Sequence, residues 1–367
     1  DAALHPRFVD AALFEAGHWS HLDLLDDVPT LYFGGGTPTL MGDELVRLVR
    51  GLTSTARLRS DAEITVETNP ETTSPTLVAA LTAAGVNRFS LGVQSFDDAV
   101  LRTLGRGHDA AKAAEACSTL VRAGVDFSID LICGVPGQDI ASWRETLERA
   151  AQTGAVHFSV YPLAIEPGTP LAEDVDEGRM PAPDPDMAAD MMVVAREYMA
   201  RHAVERYEVA NYAYPGHEAR HNTAYWTGGA YLGIGPGAHS MLPYDEYARV
   251  ADAEGWQVAG PEPGAGAAVR VRFAHAPDTD VYVREPLARP TDDEHLDADD
   301  TAREDVMLGL RLTRGVPEAD VASAGLTPVL ERLAADGLAE LVAGRWRTTE
   351  RGWLLGNEVF GAVWAGE

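Results

Sequence analysis

The motif with the clearest chemical potential is the glycine run Gly34-Gly35-Gly36-Thr37-Pro38, which follows a predicted apolar strand. Consecutive glycines allow positive φ angles and leave backbone N–H groups accessible to a polar ligand. A tight turn between a strand and a helix also favours glycine, so the motif alone leaves both interpretations open. It is not a Walker loop, because the Gly-Lys-Ser or Gly-Lys-Thr that completes such a loop is missing.

Four polar side chains could complete a binding site after successive strands. Glu67 ends the stretch EITVE, where its carboxylate could accept hydrogen bonds from ribose hydroxyls or an amine; a solvated or helix-capping glutamate is the alternative. Gln94 and Arg106 could together grip a carboxylate, since a guanidinium binds this group through two hydrogen bonds. Asp130 interrupts an apolar strand and needs a partner, either a ligand or a satisfied polar network.

The segment HNTAYW, residues 221–226, places a histidine close to two aromatic residues. His217 and His221 have the i, i+4 spacing that can bind a metal ion on a helix. Pro215 and Gly216 precede them, however, and the sequence has no carboxylate–histidine motif of a metalloprotease. A histidine that hydrogen-bonds within a core rich in Tyr and Trp is the alternative.

Strand and helix patterns alternate through the first part of the chain. The predicted strands are Thr30–Gly34, Glu63–Glu67, Arg88–Gly92, Phe127–Ile132 and Val156–Tyr161, and the predicted helices are Gly42–Thr53, Ser74–Ala84, Asp97–Leu104, Asp109–Ala123 and Ile140–Gln152. This repetition predicts a parallel sheet or barrel. The polar motifs follow the strands, at the edge where parallel α/β barrels build their sites.

The remaining sequence predicts a long helix, an irregular segment and a small terminal unit. These segments are, in order, Asp184–His202, Tyr207–Tyr247, and a tail from Thr301 with a helix over residues 306–312, a helix over Thr327–Asp336 and a hairpin within residues 338–352. Helices followed by a hairpin are similar to a winged-helix unit. We therefore expect two domains, residues 1–290 and 291–367.

Composition narrows the classes of function. The 367 residues carry a net charge of −28, which disfavours nucleic-acid binding because the phosphates would be repelled. No apolar run approaches the roughly 18 residues of a membrane-spanning helix. Cys117 and Cys133 cannot form a disulfide framework and fit no zinc motif, so we expect two buried thiols in a cytoplasmic protein.

The motifs together resemble one known family. GGGTP, EITVETNP, RFSLGVQSF, LGRGH and SIDLICGVPGQ occur in the order and spacing of the oxygen-independent coproporphyrinogen III oxidase-like family of radical S-adenosylmethionine (SAM) proteins. HNTAYW, followed by YLGIGPGAHS, resembles its heme-chaperone branch, HemW. The resemblance implies an α/β fold: a partial (β/α) barrel of the radical SAM type that lacks its first strand, with a small C-terminal helical, winged-helix-like domain.

The resemblance also implies ligands. Residues that match the family's S-adenosylmethionine site are Gly35, Gly36, Thr37, Glu67, Gln94, Arg106, Asp130, Ala164 and His239. HNTAYW would handle heme, with His221 as a candidate axial ligand and Tyr225 and Trp226 flanking the porphyrin. No residue is assigned a catalytic role, and none is assigned to a protein-bound metal ion.

One feature departs from the family. Its members hold a 4Fe–4S cluster with a CxxxCxxC motif, and this sequence contains no such motif. We expect a truncated chain, with a naturally cluster-less relative as the alternative. The implied function is a heme chaperone that delivers heme to acceptor hemoproteins. The alternatives are an oxygen-independent coproporphyrinogen III dehydrogenase of porphyrin biosynthesis and a binding protein that has lost radical chemistry. Oligomeric state and acceptor stay open.

Overall fold

The computed structural model describes residues 3–256, 267–290 and 292–366. Helices in these ranges are α1 His5–His21, α2 Asp43–Thr55, α3 Pro75–Ala83, α4 Asp98–Thr103, α5 Ala110–Ala123, α6 Ile140–Ala151, α7 Pro170–Asp176, α8 Pro185–Arg201, α9 Arg220–Trp226, α10 Tyr244–Glu254, α11 Thr279–Arg284, α12 Ala298–Gly309, α13 Glu318–Ser323, α14 Thr327–Ala335, α15 Glu350–Leu354 and α16 Gly356–Ala365. Strands are β1 Val28–Phe33, β2 Leu58–Thr68, β3 Arg88–Gln94, β4 Asp126–Cys133, β5 His157–Pro162, β6 Glu205–Arg206, β7 Asn211–Ala213, β8 His239–Pro243, β9 Arg270–Ala274, β10 Asp292–Leu296, β11 Val316–Pro317, β12 Ala339–Val342 and β13 Arg345–Thr348.

The chain forms two compact units. The first comprises Asp1–Pro29, Arg47–Ala62 and Arg220–Glu367, and the second comprises Thr30–Val46 and Glu63–Ala219. The predicted domain boundary between residues 290 and 291 stays a prediction, and residue 291 lies outside the described residues.

A seven-stranded sheet positions the candidate site residues of the second unit. Its strand order is β1-β2-β3-β4-β5-β7-β6. Strands β2 to β5 pair in parallel, whereas β5, β7 and β6 pair antiparallel. In the parallel part, Glu67 lies opposite Ser90, Ser90 opposite Ser128, and Asp130 opposite Ser159. Opposed residues share a face of a sheet, so this register gathers polar side chains on one face.

The other face of the same sheet is apolar, because side chains alternate between the two faces along each strand. Its fully buried members are Val66, Phe89, Leu91, Phe127, Ile129, Leu131, Phe158 and Val160. Burial of these side chains fixes the register, since a shift by one residue would exchange the two faces. The apolar alternation therefore determines which way Glu67 and Asp130 point.

The helices of the second unit begin at polar caps that the sequence supplies. Side chains of Ser74, Asp97, Asp109 and Asp139 each accept a hydrogen bond from an N–H group in the first turn of the following helix. Gly124 ends α5 in the left-handed conformation, with φ +67°. All five predicted strands and all five predicted helices of this region are present. The predicted fold class, a mixed α/β fold with a parallel sheet, is confirmed.

The first unit contains two small antiparallel sheets, in the orders β10-β9-β8 and β11-β13-β12. The second of these contains the predicted hairpin, in which Ala339 pairs with Thr348. Helix α1 is anchored in this unit by Glu15, whose fully buried carboxylate accepts hydrogen bonds from Trp19 Nε1 at 3.0 Å and the Gly235 N–H at 3.2 Å.

The segment 207–247 contains more regular structure than the sequence predicts. It includes β7, α9, β8 and the start of α10, where an irregular segment was expected. Elements of three to seven residues are too short to show a clear periodicity, which explains the difference. Among the described residues, no helix is both long and apolar enough to cross a membrane.

Candidate functional site

The glycine-rich segment after β1 forms an open backbone loop. Gly35 and Gly36 have φ angles of +84° and +63°, and a Cβ atom at either position would lie in open space. Gly34 is different, because a Cβ there would lie 2.6 Å from Tyr32 Cε1 and 2.9 Å from Glu67 Oε1. The loop thus needs glycine for conformation at two positions and for close approach at the third.

Glu67, at the end of β2, is held by two hydrogen bonds. The Tyr32 hydroxyl donates to Oε1 at 2.6 Å, and the Gly35 N–H donates to Oε2 at 3.2 Å. Burial, together with the negative charge of Glu67, raises the pKa of the Tyr32 hydroxyl, which therefore stays protonated and remains a donor. The carboxylate is fixed next to the glycine loop, with lone pairs left for a further donor.

Asp130 lies on the polar face of the sheet among serine hydroxyls. Ser90 Oγ donates to Asp130 Oδ2 at 3.1 Å, Ser128 Oγ donates to Ser90 Oγ at 3.0 Å, and Ser159 also hydrogen-bonds the carboxyl group. Burial raises the pKa of Asp130 to about 6, opposed by the bonds from Ser159 and Ser90 and reinforced by the charge of Glu67. A carboxyl group with a raised pKa near a second carboxylate is typical of functional sites.

Gln94 ends β3 in an unusual conformation. Its φ is +66°, in the left-handed region that glutamine rarely adopts, and the pairing with β4 is irregular between Leu91 and Gln94. The side chains of Asn69 and Gln94 meet above Gly92. A Cβ atom at position 92 would lie 2.9 Å from Asn69 Oδ1 and 2.9 Å from Gln94 Nε2. Asn69 Nδ2 also donates to Thr37 Oγ1 at 2.7 Å, which links this corner to the glycine loop.

Two predicted residues of the second unit stand apart from these contacts. The Arg106 side chain is exposed and makes no hydrogen bond or ion pair within the described part of the chain, while its backbone N–H donates to Leu101 O at 2.9 Å. Ala164 is exposed in the segment after β5. The structure connects Gly35, Thr37, Glu67 and Gln94 with Asn69. Asp130 lies on β4, which is the neighbour of β3 in the sheet.

The other predicted residues lie in the first unit. His239 starts β8, where its exposed ring has Nδ1 3.0 Å from Gly237 O. His221, Tyr225 and Trp226 are half-buried on α9. The His221 and Tyr225 rings are perpendicular at 5.0 Å, and Tyr225 contacts the Tyr231 ring at 4.6 Å.

The i, i+4 metal site considered for His217 and His221 does not form. Helix α9 begins at Arg220, so His217 lies outside it, and His217 Nδ1 instead lies 2.8 Å from Asp126 Oδ2. No group of three or more candidate ligands that could hold a metal ion occurs among residues 3–256, 267–290 and 292–366.

The residues present do not fit a 4Fe–4S cluster. Cys117 and Cys133 are both buried, in α5 and β4, and burial raises the pKa of each thiol to about 12. A cluster needs several accessible thiolates converging on one point, and this chain has two cysteines in all. The expectation of two buried thiols is confirmed.

Sequence reasoning missed four residues that organise the site: Tyr32, Asn69, Ser90 and Ser159. Tyr32 lies in the predicted strand Thr30–Gly34 and Asn69 in the motif EITVETNP, and no local pattern marks either of them as a partner of another site residue. Ser90 and Ser159 alternate with apolar residues in their strands, and this alternation was the available signal that they share a face with Asp130.

Comparison with known proteins identifies the family. The Radical SAM superfamily profile matches residues 22–150, and the HemN C-terminal domain profile matches residues 296–355. Heme chaperone HemW of Mycobacterium tuberculosis is 36% identical over 90% of this chain and 80% of its own, and heme chaperone HemW of Bacillus subtilis is 32% identical over 92% and 85%.

A solved structure agrees at the level of fold. The radical SAM enzyme coproporphyrinogen III oxidase (HemN) from Escherichia coli superposes with a TM-score of 0.77 and 22% identity, covering 99% of this chain and 84% of its own. The sequence relatives carry the assignment further, since they are similar over most of both chains. The chain belongs to the HemW family of radical SAM proteins.

Proposed function

We propose that this protein is a heme chaperone that binds heme and delivers it to acceptor hemoproteins. Membership of the HemW family supports the proposal, because the relatives are named heme chaperones. The observation that carries it is the position of His221, half-buried at the start of α9 beside aromatic rings. An imidazole of this kind can serve as an axial ligand of heme iron.

The aromatic residues around His221 suit a porphyrin. Tyr225 and Trp226 offer large apolar surfaces with a polar edge, and burial raises the pKa of Tyr225, so its hydroxyl stays neutral. The net charge of −28 repels the heme propionates at long range. We therefore infer that coordination and ring packing, rather than diffuse electrostatic attraction, supply the affinity for heme.

We further propose an S-adenosylmethionine site on the second unit. The donor set fits this molecule: the open loop at Gly35 and Gly36 can approach its amino-acid end, and Glu67 can accept hydrogen bonds from its amine or ribose. Asp130, when ionised, can attract its positive charge. Bound S-adenosylmethionine supplies a sulfonium and an adenosyl group. Thr37, Gln94, Arg106 and Ala164 are the further residues of this unit that we propose for it.

We propose neither a 4Fe–4S cluster nor radical chemistry for this chain. A 4Fe–4S cluster is a family expectation that the cysteines of this chain do not meet, so we derive no reaction through it. The alternative activity, coproporphyrinogen III dehydrogenase, has only a shared fold in its support. Two buried reduced thiols accord with the cytoplasmic location that we propose.

A transfer assay tests the proposal. The heme-loaded chain is mixed with an apo-hemoprotein, and the absorbance of the reconstituted acceptor is followed with time, with free heme in parallel. A chaperone should transfer heme in a protein-dependent manner, without aggregated heme. A parallel incubation with coproporphyrinogen III and S-adenosylmethionine should leave the propionates unchanged by mass spectrometry. Conversion of coproporphyrinogen without heme binding would contradict the proposal.

A further inference from the structure

Arg311 contacts the helix that carries HNTAYW. Its guanidinium carbon lies 5.0 Å from the centroid of the Trp226 ring and 4.3 Å from that of Phe360. A guanidinium at these distances is attracted to the faces of both rings. Trp226 is the last residue of α9, and Phe360 is a buried residue of α16. Arg311 therefore links the C-terminal end of α9 to the buried Phe360 of the same unit.

Helix α9 depends on such anchors. It has seven residues and none of them is buried, and a helix this short is not stable by itself. A second contact lies just beyond its end, where Gly228 has φ +66° and sits so close to Asp305 that a Cβ would collide with the carboxylate. Arg270 donates to that carboxylate at 2.8 Å. The C-terminal end of α9 is thus held by residues that follow it in the chain, while at its start the Arg220 guanidinium donates to the backbone oxygen of Asp61.

The orientation of His221 follows from where α9 lies. The His221 ring is perpendicular to Tyr225 one turn along the helix, and Tyr225 is in turn packed against Tyr231. Tyr231 is fixed by a pair of backbone hydrogen bonds with Met241, of 2.9 and 2.8 Å. If the end of α9 were released, Tyr225 would leave Tyr231 and the imidazole would lose its fixed direction.

We propose that Arg311 is a positioning residue for heme coordination: stacked on Trp226 and Phe360, it holds α9 so that His221 has one orientation toward the iron. The inference rests on the proposed function, since heme coordination by His221 is part of it. A planar guanidinium can stack on two rings, whereas a lysine ammonium is a compact, strongly hydrated charge. The role therefore requires arginine rather than positive charge alone.

The first test needs no heme. Ring-proton NMR shifts of His221, assigned by comparison with His221→Ala, report its place beside Tyr225. Arg311→Met should move these shifts toward those of an exposed histidine, and Arg311→Lys should do so in part. Arg303→Met is the matched control, because Arg303 is on α12 and makes an exposed 3.5 Å ion pair with Asp300. It should leave the His221 shifts unchanged.

The second test uses heme and separates this inference from the proposed function. Arg311→Met should weaken heme binding by about tenfold, the scale expected from losing a stacked cation, and should give a mixed Soret band. A purely structural role would lower the melting temperature without changing the Soret band of the folded protein. Unchanged NMR shifts and Soret bands in both Arg311 variants would overturn the inference, and Arg311→Lys decides it if Arg311→Met does not fold. Absence of heme binding by the wild type would instead overturn the proposed function, while the His221 shifts would still decide the role of Arg311.

Discussion

Replacing Asp130 by asparagine should stabilise the protein at neutral pH and lose much of that advantage in acid. Burial raises the pKa of Asp130 from 3.8 to about 6, although Ser159 and Ser90 hydrogen-bond the carboxyl group. In the unfolded chain the carboxyl group has its ordinary pKa. The folded protein therefore binds this proton more tightly, so ionisation of Asp130 opposes folding increasingly as the pH rises from about 4 to about 6.

The size of the effect follows from the shift. One pKa unit corresponds to about 1.4 kcal/mol, and between about pH 4.5 and pH 7.5 the cost of ionising Asp130 in the folded state grows by about 2 kcal/mol. Asparagine has nearly the same shape and cannot ionise. The free energy of unfolding of Asp130→Asn, relative to that of the wild type, should therefore increase by about 2 kcal/mol across this range.

Urea unfolding at both pH values measures the difference directly, since the other titrating groups are shared by the two proteins. Asp139→Asn is the control. The Asp139 carboxylate caps α6, and hydrogen bonds from Ser142 lower its pKa, so it is ionised at both pH values. The difference in free energy of unfolding between Asp139→Asn and the wild type should not change with pH. A pH-independent difference for Asp130→Asn would refute the reasoning, because it would mean that Asp130 has an ordinary pKa in the folded protein.

Three further predictions follow from the same geometry. Anaerobic reconstitution of this chain with iron and sulfide should give no stoichiometric 4Fe–4S centre; iron and sulfide analysis showing a stable four-iron centre would contradict the ligand count. Gly36 has a φ of +63°, so Gly36→Ala should cost about 1 kcal/mol of stability and weaken S-adenosylmethionine binding in calorimetry. Gly17→Ala, inside helix α1, is the control and should stabilise the protein by about 0.5–1 kcal/mol. Equal effects of the two substitutions would be inconsistent with backbone strain in the loop. Tyr32→Phe removes the 2.6 Å hydrogen bond to Glu67 and should lower the free energy of unfolding by about 1 kcal/mol; an unchanged urea midpoint would show that the bond contributes nothing.

The sequence was sufficient to predict strands β1 to β5 and helices α2 to α6, but not the antiparallel strands β6 and β7. Apolar alternation in segments such as FSIDLI separates the two faces of β4, and the caps at Asp109 and Asp139 mark where the following helices begin. These signals are local, and each is set by a few neighbouring residues. The C-terminal hairpin was predictable for the same reason, since Ala343 and Gly344 form a two-residue turn between β12 and β13.

The contacts that organise the candidate site were not predictable, because they join residues far apart in the chain. The Tyr32–Glu67 bond spans 35 residues and the Ser90–Asp130 bond spans 40. Their formation depends on strand order and register, which single-strand patterns leave open. Arg311 shows the same limit: no local pattern around it indicates that its guanidinium stacks on Trp226 and Phe360.

A heme titration followed by absorbance tests the central claim most directly. The wild-type chain should bind one heme with a defined Soret band, and His221→Ala should bind heme more weakly with a shifted band while its far-UV circular dichroism is unchanged. His217→Ala, which lies in the same segment but outside α9 and beside Asp126, should bind like the wild type. Equal losses from both substitutions would indicate local unfolding of the segment. Undiminished binding by His221→Ala would contradict the account, because the heme iron would then be held elsewhere.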